Sequence, residues 1–100
     1  MKREARKKVE VFVDNPLYRK VRDLGNAAGV VEHTVVRTIG GESASGRWRD
    51  DQVTGGAASK VVYTAFIDAQ TCEGFLKVLE PVIDEYGLLV SIKDVEIVRP

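Results

Sequence analysis

The chain has 100 residues, 44% of them hydrophobic and 30% charged, which is the profile of one globular domain with room for a single hydrophobic core. Fifteen lysines and arginines cancel fifteen aspartates and glutamates, so no net positive field draws the protein to nucleic acid or to an anionic membrane. The single cysteine, Cys72, excludes an internal disulfide, and no apolar run reaches the length of a membrane span, which points to a cytoplasmic protein.

Residues 1–8, MKREARKK, hold five basic residues and one acidic one. They read as a basic N-terminal arm, solvated and partly disordered as chain ends often are. The folded domain is expected over 9–100. In VEVFVD (9–14) Val9, Val11 and Val13 alternate with Phe12 and charged residues, the period of a first strand. NPLYRKVRDLGNAAG follows, with Asn15 as N-cap, Pro16 at the first helical position and Leu17, Val21, Leu24 and Ala28 on one helical face. Gly29 stops that helix. VVEHTVVRTI (30–39) predicts a second strand and KVVYTAFID (60–68) a third, the latter rich in β-branched and aromatic residues. Asp68 caps a second helix carrying Phe75, Val78, Leu79, Val82, Ile83 and Tyr86 at three- and four-residue steps. Pro81 is expected to bend or split this helix, and Gly87 to close it. LLVSIKDVEIV (88–98) predicts a fourth strand with an interruption at Lys93-Asp94.

The order β-α-β-β-α-β is the α+β, ferredoxin-like arrangement: a four-stranded antiparallel sheet with both helices on one face. The strands are nevertheless apolar on both sides, since Val61, Tyr63, Ala65 and Ile67 point one way while Val62 and Phe66 point the other. A second copy of the chain is the natural cover for the other face, which predicts a closed homo-oligomer.

Residues 40–59, GGESASGRWRDDQVTGGAAS, form a long connection between strands that a two-residue hairpin would join. Closing it costs about 2 to 3 kcal/mol of chain entropy, which a bound ligand would offset. Gly40-Gly41 and Gly55-Gly56 stand at its ends as hinges or as backbone able to approach an anion. Arg47 and Arg49 offer planar forks for phosphate or carboxylate, with Trp48 between them as a stacking surface. The same arginines can instead pair with Asp50 and Asp51 over a solvated flap. No phosphate-binding G-x-x-x-x-G-K-[ST], dinucleotide G-x-G-x-x-G, metal-ligand cluster or hydrolytic triad is present. An RNA-recognition motif would set aromatics two residues apart on one face of the third strand; Tyr63 and Phe66 are three apart and face oppositely. Acylphosphatase-like enzymes carry a glycine-rich loop with an arginine after the first strand, where this chain reads DNPLYRK.

The whole pattern from Val9 onward resembles the PII signal-transduction superfamily. Members read G-x-x-x-x-T-V from the end of the first helix into the second strand, then a glycine at the base of a long T-loop. Gly29-Val30-Val31-Glu32-His33-Thr34-Val35 and Gly40 match that spacing. The resemblance implies a homotrimer and an adenine nucleotide (ADP, AMP or ATP) in the clefts between subunits. It implies adenine contact at Thr34 and further nucleotide contacts from Gly40, Gly41, Glu42, Gly46, Arg47, Arg49 and Arg99. The T-G-x-x-G-D-G phosphate loop of true PII proteins is missing, because DEYGLLVS runs directly into the last strand. The T-loop has no tyrosine for modification, and Ala44 stands where a glutamine helps hold magnesium and 2-oxoglutarate. These losses resemble PII-like proteins linked to inorganic carbon, and SGRWRDDQVT looks like the T-loop of the carboxysome-associated group. That likeness implies bicarbonate as a second ligand, with Arg47, Arg49 and Lys60 as its cations. It also implies a protein partner related to carboxysomes or bicarbonate transport, and a non-catalytic sensor. Arg99 is either such a cation or an ordinary strand-end residue. The alternative is a small ferredoxin-like enzyme with residues 40–59 as an active-site lid. His33, its general-base candidate, alternates with Val31 and Val35 as a packed strand residue does.

Overall fold

A computed structural model describes residues 1–43, 46–49 and 59–100, with backbone only at Ser43, Gly46, Trp48 and Arg49. Strand β1 (Lys2–Asp14) passes through a 3-10 turn (Asn15–Leu17) into helix α1 (Tyr18–Ala28), followed by β2 (Thr34–Arg37). Two short strands, β3 (Gly40–Ser43) and β4 (Gly46–Arg49), precede β5 (Lys60–Ile67), helix α2 (Ala69–Tyr86) and β6 (Leu89–Arg99). The main sheet has the order β2-β5-β1-β6 with every neighbouring pair antiparallel. Each helix therefore connects two parallel strands separated by one antiparallel strand, the split βαβ unit expected from the element order.

The core lies between the sheet and the two helices. Val9, Val11 and Val13 on β1 and Val61, Tyr63 and Ala65 on β5 are buried against Val21 of α1 and Cys72, Phe75 and Leu79 of α2. Their alternation is the period-2 pattern read from the sequence, and it sends Phe12, Val62, Thr64 and Phe66 to the opposite face. Asp68 caps α2 as anticipated, its carboxylate accepting from the Thr71 backbone N–H at 2.7 Å. Gly87 ends that helix with φ 64°, and Gly29 ends α1 with φ 100°.

Several boundaries differ from those expected. β1 begins at Lys2 rather than Val9, so the basic arm is strand and not a solvated end. Its residues pair along β6 from Lys2↔Arg99 to Phe12↔Leu89, and the β6 carboxylates complement its cations: Arg3 with Glu96 and Lys7 with Asp94, both at 2.5 Å. The hydrogen bond from Lys7 to Asp94, followed by the charge of that carboxylate, raises the Lys7 pKa. β2 starts at Thr34 rather than Val30, because the Val30 N–H is held by the Gly25 carbonyl at 2.9 Å as part of the helix ending. The first helix opens as a 3-10 turn with Asp14, not Asn15, at its cap. α2 runs unbroken through Pro81, and β6 runs unbroken through Lys93 and Asp94. The stretch expected to be one loop contains a β3–β4 hairpin in the register Gly40↔Arg49, Gly41↔Trp48, Glu42↔Arg47 and Ser43↔Gly46. Among the described residues no helix is long and apolar enough to cross a membrane.

Candidate functional site

The ladder between β1 and β5 begins at Lys7↔Ile67, whereas that between β1 and β6 continues to Lys2↔Arg99. Residues 2–6 and 95–99 thus form a two-stranded ribbon beyond the end of β5. The ribbon delivers Ile97, Val98 and Arg99 to a cleft of about 650 Å³ whose floor includes Thr34, Thr64 and Phe66. Thr34 and Thr64 are direct cross-strand partners on the face without helices, and Phe66 lies two residues further along the same face. Val31, Glu32 and His33, in the link between α1 and β2, complete the wall. A smaller cleft of about 190 Å³ adjoins, sharing Glu32, Phe66 and Arg99 and adding Arg6, Asp68 and Thr71.

Arg99 is half exposed, and its Nε stands 3.8 Å from a Glu4 oxygen that Arg6 holds more closely at 2.8 Å. Its guanidinium is therefore loosely tied and borders the cleft. At the edge of the smaller cleft the Thr71 backbone N–H, seconded by its hydroxyl, holds the Asp68 carboxyl below the usual carboxylate range. Behind the wall, Tyr18 Oη lies 2.7 Å from His33 Nε2, and the His33 ring stacks on Tyr63 with centroids 4.7 Å apart and planes 20° apart. Burial, with a smaller contribution from Tyr18, pushes the Tyr63 phenol up to about 12.

Of the residues singled out from the sequence, Thr34 and Arg99 come together at this cleft. Gly40, Gly41, Glu42, Gly46, Arg47 and Arg49 sit on the hairpin, and of these Gly40, Gly41, Glu42 and Arg47 do not line the cleft. Arg47 Nε is paired with Glu42 Oε1 at 2.6 Å, both side chains largely exposed, which is a partner the residue pattern alone does not suggest. The pairing with Asp50 and Asp51 and the place of Ala44 lie outside the described residues, as does the second glycine pair, Gly55-Gly56. Lys60 bonds Asp14 at 2.7 Å, its carbonyl accepts from Thr38, and it stands four residues along β5 from Thr64, about 13 Å at the rise of a strand. Thr64, Phe66, Ile97 and Val98 were not singled out. The parity of Phe66 was a usable signal for the first two, since Thr64 shares its face. His33 is packed as expected, but between two tyrosines and outside any strand. Among the described residues no group of three histidines, cysteines, aspartates or glutamates is placed to hold a metal ion.

No family model matches the sequence, and no curated protein matches it significantly. Solved structures do. CPII, a nitrogen regulatory PII-like protein from Thiomonas intermedia K12 bound to ADP, AMP and bicarbonate, superimposes with a TM-score of 0.88 at 20% identity, covering 99% of this chain and 93% of that one. The apo form of the same protein gives 0.79 at 20% identity, covering 99% and 98%. A PII-like signalling protein from Thermus thermophilus gives 0.85 at 15% identity, covering 99% and 95%. The chain has the PII-like fold over essentially its whole length.

Proposed function

We propose that the protein is a non-catalytic, cytoplasmic PII-like sensor, assembled as a homotrimer, that binds an adenine nucleotide and a small anion such as bicarbonate. The observation that carries this reading is the 650 Å³ cleft, which has Thr34 at its floor and the loosely held Arg99 at its rim. The resemblance noted in the sequence assigns adenine contact to Thr34, and the similar CPII structure holds ADP, AMP and bicarbonate. Within one chain Arg47 does not line this cleft and is paired with Glu42. A second subunit would let Gly40, Gly41, Glu42, Gly46, Arg47 and Arg49 of one chain meet Thr34 and Arg99 of another. The ordinary surface pair between Arg47 and Glu42 is weak enough to yield to a bound anion. Arg47, Arg49 and Lys60 are the cations we assign to bicarbonate.

The open sheet face supports assembly. In register across all four strands lie Val36, Val62, Phe12 and Leu89, an apolar row without a helix above it. Ligand binding shifts the 40–59 segment through a difference in affinity between its states, and so presents or withdraws a surface for a partner. The likeness of SGRWRDDQVT to the carboxysome-associated group supports a partner in inorganic carbon metabolism. A lidded enzyme gains nothing from His33, whose Nε2 is engaged by Tyr18.

The test is thermal unfolding of the protein titrated with AMP, ADP, ATP, bicarbonate and 2-oxoglutarate. A nucleotide at 100 times its dissociation constant stabilises by about 2.7 kcal/mol, which raises the melting temperature by about 10 °C or more for a domain of this size. Thr34→Ala and Arg99→Ala are expected to reduce that response with the fold retained. Absence of any shift with all three nucleotides overturns the reading.

A further inference from the structure

Glu4, Arg6 and Arg99 share the face of the β1–β6 ribbon that carries no helix, since the register sets Glu4 opposite Ile97, Arg6 opposite Val95 and Lys2 opposite Arg99. The two arginines converge on one atom. Arg6 Nη2 donates to Glu4 Oε2 at 2.8 Å, whereas Arg99 Nε stands 3.8 Å from that same oxygen, beyond hydrogen-bond range. Arg6 is held a second time, its Nη1 donating to the Ala5 carbonyl at 2.8 Å. The Arg6 and Glu4 side chains are 31% and 30% exposed and that of Arg99 is 52%, so the anchored pair is the more sheltered.

The two clefts separate these residues. Arg99 lines both, Arg6 lines the smaller one, and Glu4 lines neither. The carboxylate therefore lies outside the ligand space that Arg99 borders. Glu32 and Asp68 also line the smaller cleft, but neither is ion-paired with Arg99 among the described residues, and Asp68 is engaged by the Thr71 backbone N–H. Among the described residues Glu4 is thus the carboxylate within ion-pair reach of Arg99, and no N–H of that guanidinium is hydrogen-bonded. Without Arg6, Glu4 would be free to close on Arg99 as a hydrogen-bonded ion pair, and an incoming phosphate would have to displace it.

We propose that Arg6 is a positioning residue for ligand binding: by holding Glu4 it keeps the Arg99 guanidinium open to the phosphate of a nucleotide. The proposal rests on the nucleotide reading above and adds to it two residues, Glu4 and Arg6, which that reading does not contain.

The test is calorimetric titration of the native chain, Glu4→Gln, Arg6→Ala and the double variant with ADP and with adenosine, which has the base and no phosphate, at one ionic strength. Glu4→Gln removes a negative charge about 7 Å from a phosphate held by Arg99, which at an effective permittivity near 40 tightens ADP about five- to tenfold. Arg6→Ala weakens ADP in both backgrounds through its own lost charge, so its action through Glu4 is read as an excess. We expect the weakening to be about three- to fivefold larger in the native background than in Glu4→Gln, the worth of a surface ion pair that the phosphate must break. Adenosine affinity is expected to be the same in all four proteins. Equal weakening of ADP in the two backgrounds, or adenosine changes that match those of ADP, overturns the role of Arg6 and leaves the nucleotide reading standing. No binding of ADP to the native chain removes both. Should Arg6→Ala fail to fold, Arg6→Gln takes its place in the cycle, and Glu4→Gln without a gain for ADP overturns the proposal by itself.

Discussion

Tyr63 Oη occupies the space that a side chain on Gly25 would need: a Cβ at that position would fall 2.5 Å from the oxygen, and only at 3.4 and 3.5 Å would it meet carbons of Tyr63 and Phe75. Glycine in the interior of α1 is therefore a packing requirement imposed by one atom. Gly25→Ala is expected to destabilise the fold by about 1 to 3 kcal/mol through overpacking. In a Tyr63→Phe background the clash is gone, and the same substitution should stabilise by up to about 1 kcal/mol through helix propensity. Gly74 of α2, where an added Cβ meets nothing within 4 Å, should behave as alanine-tolerant in either background. Urea unfolding of the four combinations at Gly25 and Tyr63 measures the coupling. Equal effects of Gly25→Ala in both backgrounds would remove Tyr63 Oη as the cause.

The same hydroxyl makes stability depend on alkali. Tyr63 Oη is buried with no hydrogen-bond partner among the described residues, and its pKa is raised from 10.0 to about 12 chiefly by burial. The folded chain then holds its proton where the unfolded chain releases it, so the stabilisation present below pH 10 is lost as pH rises from 10 towards 12. The loss across that window amounts to about 2 to 3 kcal/mol. Tyr63→Phe removes it, so unfolding free energies measured at pH 9, 10, 11 and 12 should fall less steeply in the variant. Parallel slopes in the two proteins would assign the alkaline limb to another group.

Much of this arrangement is legible in the sequence and some of it is not, for identifiable reasons. The alternation of Val9, Val11 and Val13 and the Asp68 cap are local signals, and the structure carries them out as read. Residues 2–8 look like a charged tail because the carboxylates that complement them, Asp94 and Glu96, lie almost a chain length away. Nothing local announces that pairing; it follows once Phe12 is set opposite Leu89. Val30 and Val31 carry strand propensity, yet Gly29 at φ 100° turns the chain so that Val30 closes the helix instead. Thr34 and Arg99 were within reach of a resemblance, but Ile97 and Val98 join them only because the ribbon of β1 and β6 outruns β5.

One pair along the β1–β6 ladder opposes its own kind. Lys8 and Lys93 are direct cross-strand partners on the face without helices, and neither is in an ion pair among the described residues. Like charges at that spacing destabilise, while opposite charges contribute about 0.2 to 1 kcal/mol. Lys93→Glu should therefore raise stability by about 0.5 to 1 kcal/mol at low ionic strength, with the gain shrinking in 0.5 M salt as screening takes over. Thermal unfolding at two salt concentrations checks both parts. A loss of stability at low salt would mean that an anionic group in the assembly already serves the two lysines.

The strongest demand on the proposed trimer falls at Leu89, which ends the apolar row opposite Phe12 and is 64% exposed in a single chain. Val36 at the other end of the row is 53% exposed. Side chains so placed contribute little to the fold of one chain, yet each fully covered leucine is worth about 1.5 to 3 kcal/mol to an interface. Leu89→Glu should leave the secondary structure intact and break the association, because its carboxylate would lose water on assembly without a partner. Sedimentation equilibrium at micromolar concentration is expected to give the native chain three times the mass of the variant. Unfolding should depend on protein concentration in the native chain alone. A native chain that sediments as a monomer, or a variant that assembles as well as the native one, would mean that the face bearing Phe12, Val62 and Leu89 is not where copies of this protein meet.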